Sequence, residues 1–205
     1  IIGVKSLKSV SHTVMCDRIE AGTMAIAATL TGGTLKIKGL NPKIINTELQ
    51  LLKQTGAKIN YGKNEFKIFG PKKIKNIRLV QTKEYPTGLP TDLQAQFMVL
   101  LCKANGRSVI VENIFGEQRF NHIGELCRLG AKISTKKNKA IIEGNTKFEG
   151  AELMSSDLRA SVALVLAAMA AKKKSIVSKV YHLDRGHEKF ENKLRSVNVR
   201  IRRIT

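Results

Sequence analysis

The sequence predicts an α/β domain in which one supersecondary unit occurs three times, with helices at the centre and sheets outside. Similar apolar stretches, each opened by an aspartate, begin at Asp17, Asp92 and Asp157. Such self-similarity at a regular spacing is the sequence signature of a repeated unit. The three stretches are apolar nearly all round, which is typical of helices that are buried on every side. A β-branched strand follows each stretch at a similar distance, and these strands are predicted to begin at Thr34, Ser108 and Ser175.

Each unit is expected to run in the order βαβαββ. The strands that lead into the three units are predicted at residues 11–16, 77–82 and 151–156. The second, more amphipathic helices are predicted at residues 46–56, 120–130 and 187–198. They end at Gly56, Gly130 and Asn198, residue types that favour the left-handed conformation found at helix ends. The third unit stops after its strand "VRIRR", so the units span approximately residues 11–75, 76–148 and 149–205.

Length and composition indicate a folded domain with a sizeable core. The chain has 205 residues, of which 42% are hydrophobic, so it is not of the disordered class. The longest apolar run, residues 162–171, is too short to span a bilayer, so no membrane partner is predicted. The sequence has no initiator Met and no signal-peptide pattern, and its opening "IIGVKSLKSV" resembles the interior of a longer protein.

The net charge of +20 suggests an anionic partner, and nucleic acid is the first class to consider. The lysines, however, are spread along the whole chain. The sequence has no Trp and only 5% aromatic residues, too few for a base-stacking platform. We therefore favour a solvated lysine-rich surface and predict no specific nucleic-acid site. A basic nucleic-acid-binding module remains the alternative.

Cysteine and histidine patterns predict neither a metal site nor a cofactor. Cys16, Cys102 and Cys127 form no CxxC pair, and an odd, unpatterned set is typical of a reducing cytoplasm. Cys102 and Cys127 fall in apolar helical stretches, where thiols are commonly buried. The histidines lack metal-binding spacing. His122 and His187 fall at the starts of second helices, so capping or surface roles are expected.

The three aspartates allow two interpretations. An Asp before a helix accepts hydrogen bonds from the free amides of the first turn and complements the helix dipole. Alternatively, the carboxylates take part in chemistry. A helix start lowers the pKa of a carboxyl group, which makes it a weaker general base but still allows it to orient a hydroxyl group.

Three arginines fall in loops or first turns that would meet at one rim if the units are superposable. They are Arg119, Arg159 and Arg185. Guanidinium groups beside free helix-start amides form sites for phosphate or carboxylate. The competing interpretation is ordinary ion pairing, for example between Asp184 and Arg185.

Four spaced motifs, "DRIEAGT", "PTDLQAQF", "SDLRASVALVLAAMAA" and "YHLDRGHEKFENKLR", closely resemble the enolpyruvyl transferases, in particular those that act on UDP-N-acetylglucosamine. The resemblance covers nearly the whole chain. It implies a two-domain protein in which each domain is an inside-out α/β barrel of three βαβαββ repeats. Residues 1–205 would be the C-terminal domain, and the N-terminal domain with its catalytic loop would be the missing partner.

The resemblance also implies a reaction. The enolpyruvyl group of phosphoenolpyruvate moves to the 3-hydroxyl of UDP-N-acetylglucosamine and phosphate is released, through a tetrahedral intermediate. This is the first committed step of peptidoglycan synthesis, which links the chain to cell-wall biogenesis, cell shape and division. Half of the cleft would belong to the other domain, so the chain alone is expected to be inactive. A noncatalytic remnant domain is a further alternative.

Site residues follow from the matched motifs. Asp92 resembles the aspartate that acts on the sugar hydroxyl as base or orienting group, and Asp157 resembles a second acid near the reacting centre. Arg185 resembles the arginine that binds the phosphate of phosphoenolpyruvate. Arg119 and Arg159 resemble arginines near the phosphate and carboxylate of substrate or product.

One further contact and several departures complete the resemblance. Ile114 stands where the family has an apolar contact to the nucleotide sugar. Asp17 is expected to be structural or to lie at an interdomain hinge. Cys16 stands where a proline is expected, and His187 replaces an aromatic residue. The loop before Arg119 is one residue longer than usual. The family's proton-donating cysteine and its Lys-Asn pair belong to the other domain.

Overall fold

The computed structural model describes residues 2–204, which form seven α-helices and nine β-strands. The helices are α1 (Arg18–Thr31), α2 (Asn46–Gln54), α3 (Gln94–Lys103), α4 (Ile123–Arg128), α5 (Leu158–Met169), α6 (Tyr181–Asp184) and α7 (Phe190–Ser196). The strands are β1 (Thr34–Lys38), β2 (Lys58–Tyr61), β3 (Glu65–Phe69), β4 (Leu79–Gln81), β5 (Ser108–Val111), β6 (Ile133–Lys136), β7 (Lys139–Ile142), β8 (Glu152–Met154) and β9 (Ile176–Ser178). Short 3-10 turns occur at Pro42–Ile45, Thr91–Leu93 and Gly116–Phe120.

The three apolar helices lie side by side at the centre, with α1 against α3 and α3 against α5. Nearly every side chain of α3 is buried, as are those in the middle of α1 and α5. Small residues allow the close approach: a Cβ added at Gly22 would lie 2.6 Å from Cδ1 of Leu93. The prediction of central, buried helices is confirmed. No helix within residues 2–204 is long and apolar enough to cross a membrane.

The strands form three separate sheets outside these helices. Their orders are β1-β3-β2, β4-β5-β7-β6 and β8-β9. β4 pairs with β5 and β8 with β9 in parallel, whereas the other pairings are antiparallel. In β3, Phe66 and Ile68 are buried and Lys67 between them is exposed, the alternation of a sheet covered on one face. No closed sheet forms within residues 2–204, so the architecture is mixed α/β with three sheets around a helical centre.

The first predicted lead-in strand, residues 11–16, is wrong. Residues 2–16 form no helix or strand, and apolar side chains such as Val10 and Val14 are exposed. The corresponding strands β4 and β8 persist because each pairs in parallel with a neighbour and buries one side chain, Val80 or Leu153. Within residues 2–204, β1 pairs only with β3, so residues 11–16 have no ladder to stabilise them.

The third unit also departs from its predicted elements. Residues 199–203 form no strand, and the predicted helix at 187–198 is shortened to α7. The strand expected up to Tyr181 ends at Ser178, and α6 follows it. The missing strand at residues 199–203 is explained by the lack of a hairpin partner. β2 and β6 are held by hydrogen bonds to β3 and β7, and the described part of the third unit contains no such strand. Val199 and Ile201 still pack on the core.

The predicted helix at residues 120–130 is shortened to α4, and the 3-10 turn Gly116–Phe120 precedes it. The helix-ending positions are as predicted. Gly56, Gly130 and Asn198 all have positive φ, at 100°, 98° and 67°. A left-handed residue at these places ends the helix without a Cβ clash at glycine and at a tolerable cost at asparagine.

Capping explains two of the three aspartates. The Asp17 carboxylate accepts hydrogen bonds from the amides of Ile19 and Glu20, and Asp157 accepts from those of Arg159 and Ala160. Asp92 caps no helix, so the capping interpretation is wrong for it. Asp92 lies inside the 3-10 turn Thr91–Leu93, and α3 begins at Gln94 without a side-chain cap.

Asp17→Ala should lower the free energy of unfolding by about 1 kcal/mol, because two first-turn amides of α1 lose their acceptor. Asp17→Asn keeps a side-chain oxygen and should retain most of the stability. Urea unfolding of the two variants and the unsubstituted chain measures the difference. Equal losses in both variants would contradict a capping role.

Candidate active site

The starts of α3 and α5 and the loop after β5 line an open cavity of about 280 Å³. Its lining combines charged, amide and aromatic side chains: Gln94, Ala95, Phe115, Gln118, Arg119, Asn121, His122, Asp157 and Arg159. Three of the sequence-predicted site residues, Arg119, Asp157 and Arg159, therefore lie in one cavity. The prediction that loops of different units meet at one rim is met for these residues.

Asp92 joins this group through two ion pairs. Its Oδ1 lies 2.5 Å from Nε of Arg159 and 3.7 Å from a terminal nitrogen of Arg119. The Asp92 side chain is 41% exposed, whereas Arg119 is 14% exposed. Burial and the neighbouring Arg159 guanidinium lower the pKa of Arg119, and nearby carboxylates oppose that shift. Two guanidinium groups thus converge on one accessible carboxylate.

Asp157 is an ionised group whose hydrogen-bonding capacity is largely used. Burial by itself would raise its pKa, but hydrogen bonds from the amides of Ala160 and Arg159 and from the hydroxyl of Ser156 hold the pKa below its usual value. The Ser156 hydroxyl donates at 3.1 Å. A carboxylate stabilised in this way is a poor proton acceptor near neutral pH. It supplies a fixed negative charge instead.

Two lining side chains are buried with unused hydrogen-bonding capacity. His122 is 3% exposed and Gln94 is 1% exposed, and Nε2 of each has no partner within residues 2–204. Burial lowers the pKa of His122 to about 4, opposed by Asp157 and by the backbone of Arg119. The imidazole is therefore neutral at physiological pH. Buried polar groups without partners are uncommon in proteins and often mark functional sites.

The expected capping or surface roles of the two histidines are wrong. His122 caps nothing and is buried in the cavity wall. His187 is 2% exposed, and its ring lies 4.9 Å from that of Phe190, between centroids. An aromatic residue was expected at position 187, and the histidine occupies a core position suited to one. Burial lowers its pKa as well.

Glu112 is a site component that sequence reasoning missed. Its side chain is fully buried at the end of β5. One carboxylate oxygen accepts from the amides of Ile114 (3.0 Å) and Phe115 (3.2 Å), and the other accepts from the hydroxyl of Thr91 (3.0 Å). A lone acid ending the otherwise apolar strand "SVIV" was the available signal.

Ile114 and Phe115 form the exposed tip of the loop after β5. Their side chains are 39% and 53% exposed. Phe115 lines the cavity, and the Arg119 guanidinium lies 4.2 Å from the centre of its ring, within cation–π range. Ile114 is not among the lining residues, but its backbone is held by Glu112. The loop thus presents apolar surface beside the charged cavity.

Arg185 does not line the cavity. It ends α6, and the next residue, Gly186, packs on the first residue of α5: a Cβ there would lie 2.6 Å from Cδ1 of Leu158. Arg185 therefore lies near the start of α5, the helix that carries Arg159. The alternative pairing of Asp184 with Arg185 is wrong, because Asp184 binds Arg203 at 2.6 and 2.8 Å. Within residues 2–204, Arg185 has no ion pair.

No cysteine lines the cavity. All three are free, and Cys127 is exposed, so its predicted burial is wrong. Cys102 is buried as predicted, and burial raises its pKa to about 12, which leaves the thiol protonated and inert.

The sequence profile of the family described as EPSP synthase (3-phosphoshikimate 1-carboxyvinyltransferase) matches residues 1–194. The chain belongs to this family. Two similar relatives are UDP-N-acetylglucosamine 1-carboxyvinyltransferases, 61% identical in Pelagibacter ubique (strain HTCC1062) and 48% identical in Geotalea uraniireducens (strain Rf4). Both alignments cover 100% of this chain and 48% of the relative. The chain therefore spans about half the length of the curated relatives it matches.

Solved structures show the same family fold. The enolpyruvyl transferase NikO from Streptomyces tendae superposes with a TM-score of 0.82 at 26% identity, covering 93% of this chain and 45% of that one. An EPSP synthase from Acinetobacter baumannii superposes with a TM-score of 0.73 at 17% identity, covering 94% and 48%. The second likeness concerns the fold alone.

Acidification should destabilise the chain between about pH 6.5 and pH 4. The folded pKa of His122 lies below its unfolded value, so the unfolded state binds the proton first as the pH falls, and stability is lost in this window. His122→Gln should remove roughly 2 kcal/mol of that loss between pH 7 and 4.5. Urea unfolding at the two pH values measures it. An NMR titration that gave a pKa near 6.5 for the His122 imidazole would contradict the argument that burial lowers this pKa.

Proposed function

We propose that this chain is the C-terminal domain of an enzyme that transfers the enolpyruvyl group of phosphoenolpyruvate to the 3-hydroxyl of UDP-N-acetylglucosamine and releases phosphate. The observation that carries the proposal is the convergence of Arg119 and Arg159 on the accessible carboxylate of Asp92, beside a cavity, in a chain 61% identical to a transferase of that name. The product would enter peptidoglycan synthesis in the cytoplasm, and through it cell-wall biogenesis, cell shape and division.

The proposed roles follow from the charges. Asp92 is accessible and caps no helix. Once the anionic groups of the ligand occupy the two arginines, its carboxylate accepts a hydrogen bond from a sugar hydroxyl and takes its proton during attack on phosphoenolpyruvate. Arg119 and Arg159 then face the phosphate and carboxylate of the same ligand, since guanidinium groups bind both in a bidentate manner. Asp157, ionised and fixed by amides, holds a negative charge near the cation that develops. Arg185 binds phosphate from the α6 side.

Addition and elimination balance without a cofactor. The hydroxyl oxygen bonds to C2 of phosphoenolpyruvate as C3 gains a proton, and C3 later loses a proton as the C2–O bond to phosphate breaks. The side chains described here account for holding charge and for the hydroxyl proton. The donor for C3 is assigned to the half of the relatives that this chain does not cover.

The cavity is one wall of a cleft. Catalysis by fixed charges depends on excluding water from the reacting groups, and an open wall leaves them in a high dielectric. We further propose that the three units, residues 11–75, 76–148 and 149–205, belong to an inside-out α/β barrel within a two-domain enzyme. In that enzyme, Ile114 contacts the nucleotide sugar from the loop tip.

The chain alone should show no phosphate release from phosphoenolpyruvate plus UDP-N-acetylglucosamine. A fusion of this chain with the half of the Pelagibacter ubique relative that it does not cover should restore turnover, because the second wall closes the cleft. Turnover by the chain alone would contradict the single-wall proposal. A well-folded but inactive fusion would favour the remnant alternative.

In that fusion, Asp92→Asn and Arg185→Ala should each lower kcat/KM by roughly 10²-fold or more, since each removes a group that acts on the reacting atoms. Arg107→Ala is the matched control, because Arg107 pairs with Glu143 at an exposed position outside the cavity. Steady-state phosphate release measures all three. Equal loss in the Arg107 control would point to general damage and against the assigned roles.

A further inference from the structure

We propose that Glu112 is a positioning residue of this site. Its buried carboxylate joins the turn that carries Asp92 to the loop that carries Arg119, and thereby sets the distance between them. This inference rests on the proposed function for its catalytic consequence, but the joining of the two segments is a property of this chain alone.

The contacts that define the joint come from both sides of the carboxylate. One oxygen accepts the Thr91 hydroxyl at 3.0 Å, and Thr91 directly precedes Asp92 in the 3-10 turn. The other oxygen accepts the amides of Ile114 and Phe115 at 3.0 and 3.2 Å, at the start of the loop that leads to Arg119. A single side chain therefore bonds to both segments, which are otherwise separated by α3 and β5.

The backbone that carries this carboxylate is itself fixed. The amide of Glu112 donates to the carbonyl of Asn138 at 2.8 Å. The next residue, Asn113, donates its amide to the hydroxyl of Thr82 at 2.8 Å and its side-chain nitrogen to the carbonyl of the same threonine at 3.0 Å. The main chain of Glu112 and Asn113 is thus anchored to two neighbouring segments, at Asn138 and at Thr82.

The charge of Glu112 has no direct counter-ion. Within residues 2–204 no cation lies within ion-pairing distance of it, and its three hydrogen bonds stabilise the buried charge. Over a longer range this charge partly opposes the lowering of the Arg119 pKa that burial and Arg159 cause. Removing the carboxylate would take away the acceptor of the Ile114 and Phe115 amides and of the Thr91 hydroxyl, and with it the hydrogen bonds that join the two segments.

Catalytic geometry is sensitive to such a joint. The Asp92 carbonyl accepts from the Gln96 side chain at 3.0 Å, which fixes the turn to α3 but not to the loop after β5. The Thr91–Glu112 hydrogen bond links the turn to that loop, beside the longer ion pair between Asp92 and Arg119. A displacement of about 1 Å between reacting groups is enough to cost roughly 10²-fold in rate.

The first readout uses the chain alone and needs no activity. The guanidinium N–H resonance of Arg119 reports its contact with Asp92, and Asp92→Asn gives the reference position for the broken contact. Thr91→Val exchanges only the hydroxyl for a methyl group. This variant and Glu112→Ala should both move the resonance toward that reference. Glu143→Gln, a change to an exposed carboxylate at the end of the same sheet, should leave it in place. An unmoved resonance in Thr91→Val overturns the proposal.

The second readout uses the active fusion. Glu112→Ala should lower kcat by roughly 10²-fold. Glu112→Gln should recover at least tenfold of that loss, because its oxygen still accepts the two amides and its nitrogen donates to Thr91. Thr91→Val should lower kcat in the unsubstituted protein and have no further effect on Glu112→Ala. If the double variant instead lost kcat by the product of the two single losses, the residues would act independently and the proposal would be overturned.

The controls separate the possible failures. Thermal unfolding of each variant identifies loss of folding, and Thr91→Val keeps the proposal testable if Glu112→Ala does not fold. An inactive fusion would count against the proposed function, while the Arg119 resonance would still decide whether Glu112 sets the position of Asp92 relative to Arg119.

Discussion

The structure depends on one constraint: three apolar helices pack side by side with their middles buried, and their partly exposed first turns still need partners for their amides. Backbone amides at a helix start have no partner inside the helix and must be satisfied by other groups. At α1 and α5 the aspartates 17 and 157 do this directly. The same packing brings the starts of α3 and α5 together, as the contact between Asp92 and Arg159 shows. Charge is therefore concentrated at one end of a hydrophobic bundle.

Asp92 differs from its two counterparts because the chain enters α3 differently. Pro90 holds an extended conformation before a 3-10 turn, and the helix proper begins only at Gln94. The Asp92 side chain therefore accepts no hydrogen bond from first-turn amides and forms ion pairs with two arginines instead. Asp157, with similar flanking sequence, is fully occupied as a cap. Different backbone paths at the two helix starts thus leave Asp92 accessible to the arginines and hold Asp157 as a cap.

Local rules predicted what depends on local sequence. The central helices, the left-handed residues at helix ends and the capping by Asp17 and Asp157 all follow from patterns within a few residues, and the structure bears them out. The failures concern partners that are distant in the chain. Residues 11–16 have a strand-like pattern, but a strand exists only where a ladder receives it. Residues 199–203 fail for the same reason.

The site was predicted in part, and the limits are again tertiary. Arg119, Arg159 and Asp157 were found because each sits at a predicted loop or helix start. His122 also sits at such a start, yet its burial depends on how α4 packs against α5, which its own segment does not reveal. Glu112 could not be predicted from its own segment. Its role depends on hydrogen bonds that join residue 91 to residues 114–115, whereas the sequence showed only an acid at the end of an apolar strand.

The ion pairs around Asp92 suit a site that must exchange partners. Accessible ion pairs contribute little to stability, between 0 and about 1 kcal/mol, because water solvates the separated charges nearly as well. Under the proposed function, an anionic ligand would replace the Asp92 carboxylate at the arginines at small cost, and that carboxylate would then be available to accept a proton. A fully buried pair would resist such exchange, since separating it would leave uncompensated charges in a low dielectric. Partial exposure of Asp92 and Arg159, combined with the rigid support of buried Glu112, gives charges that are fixed in place yet available to a ligand.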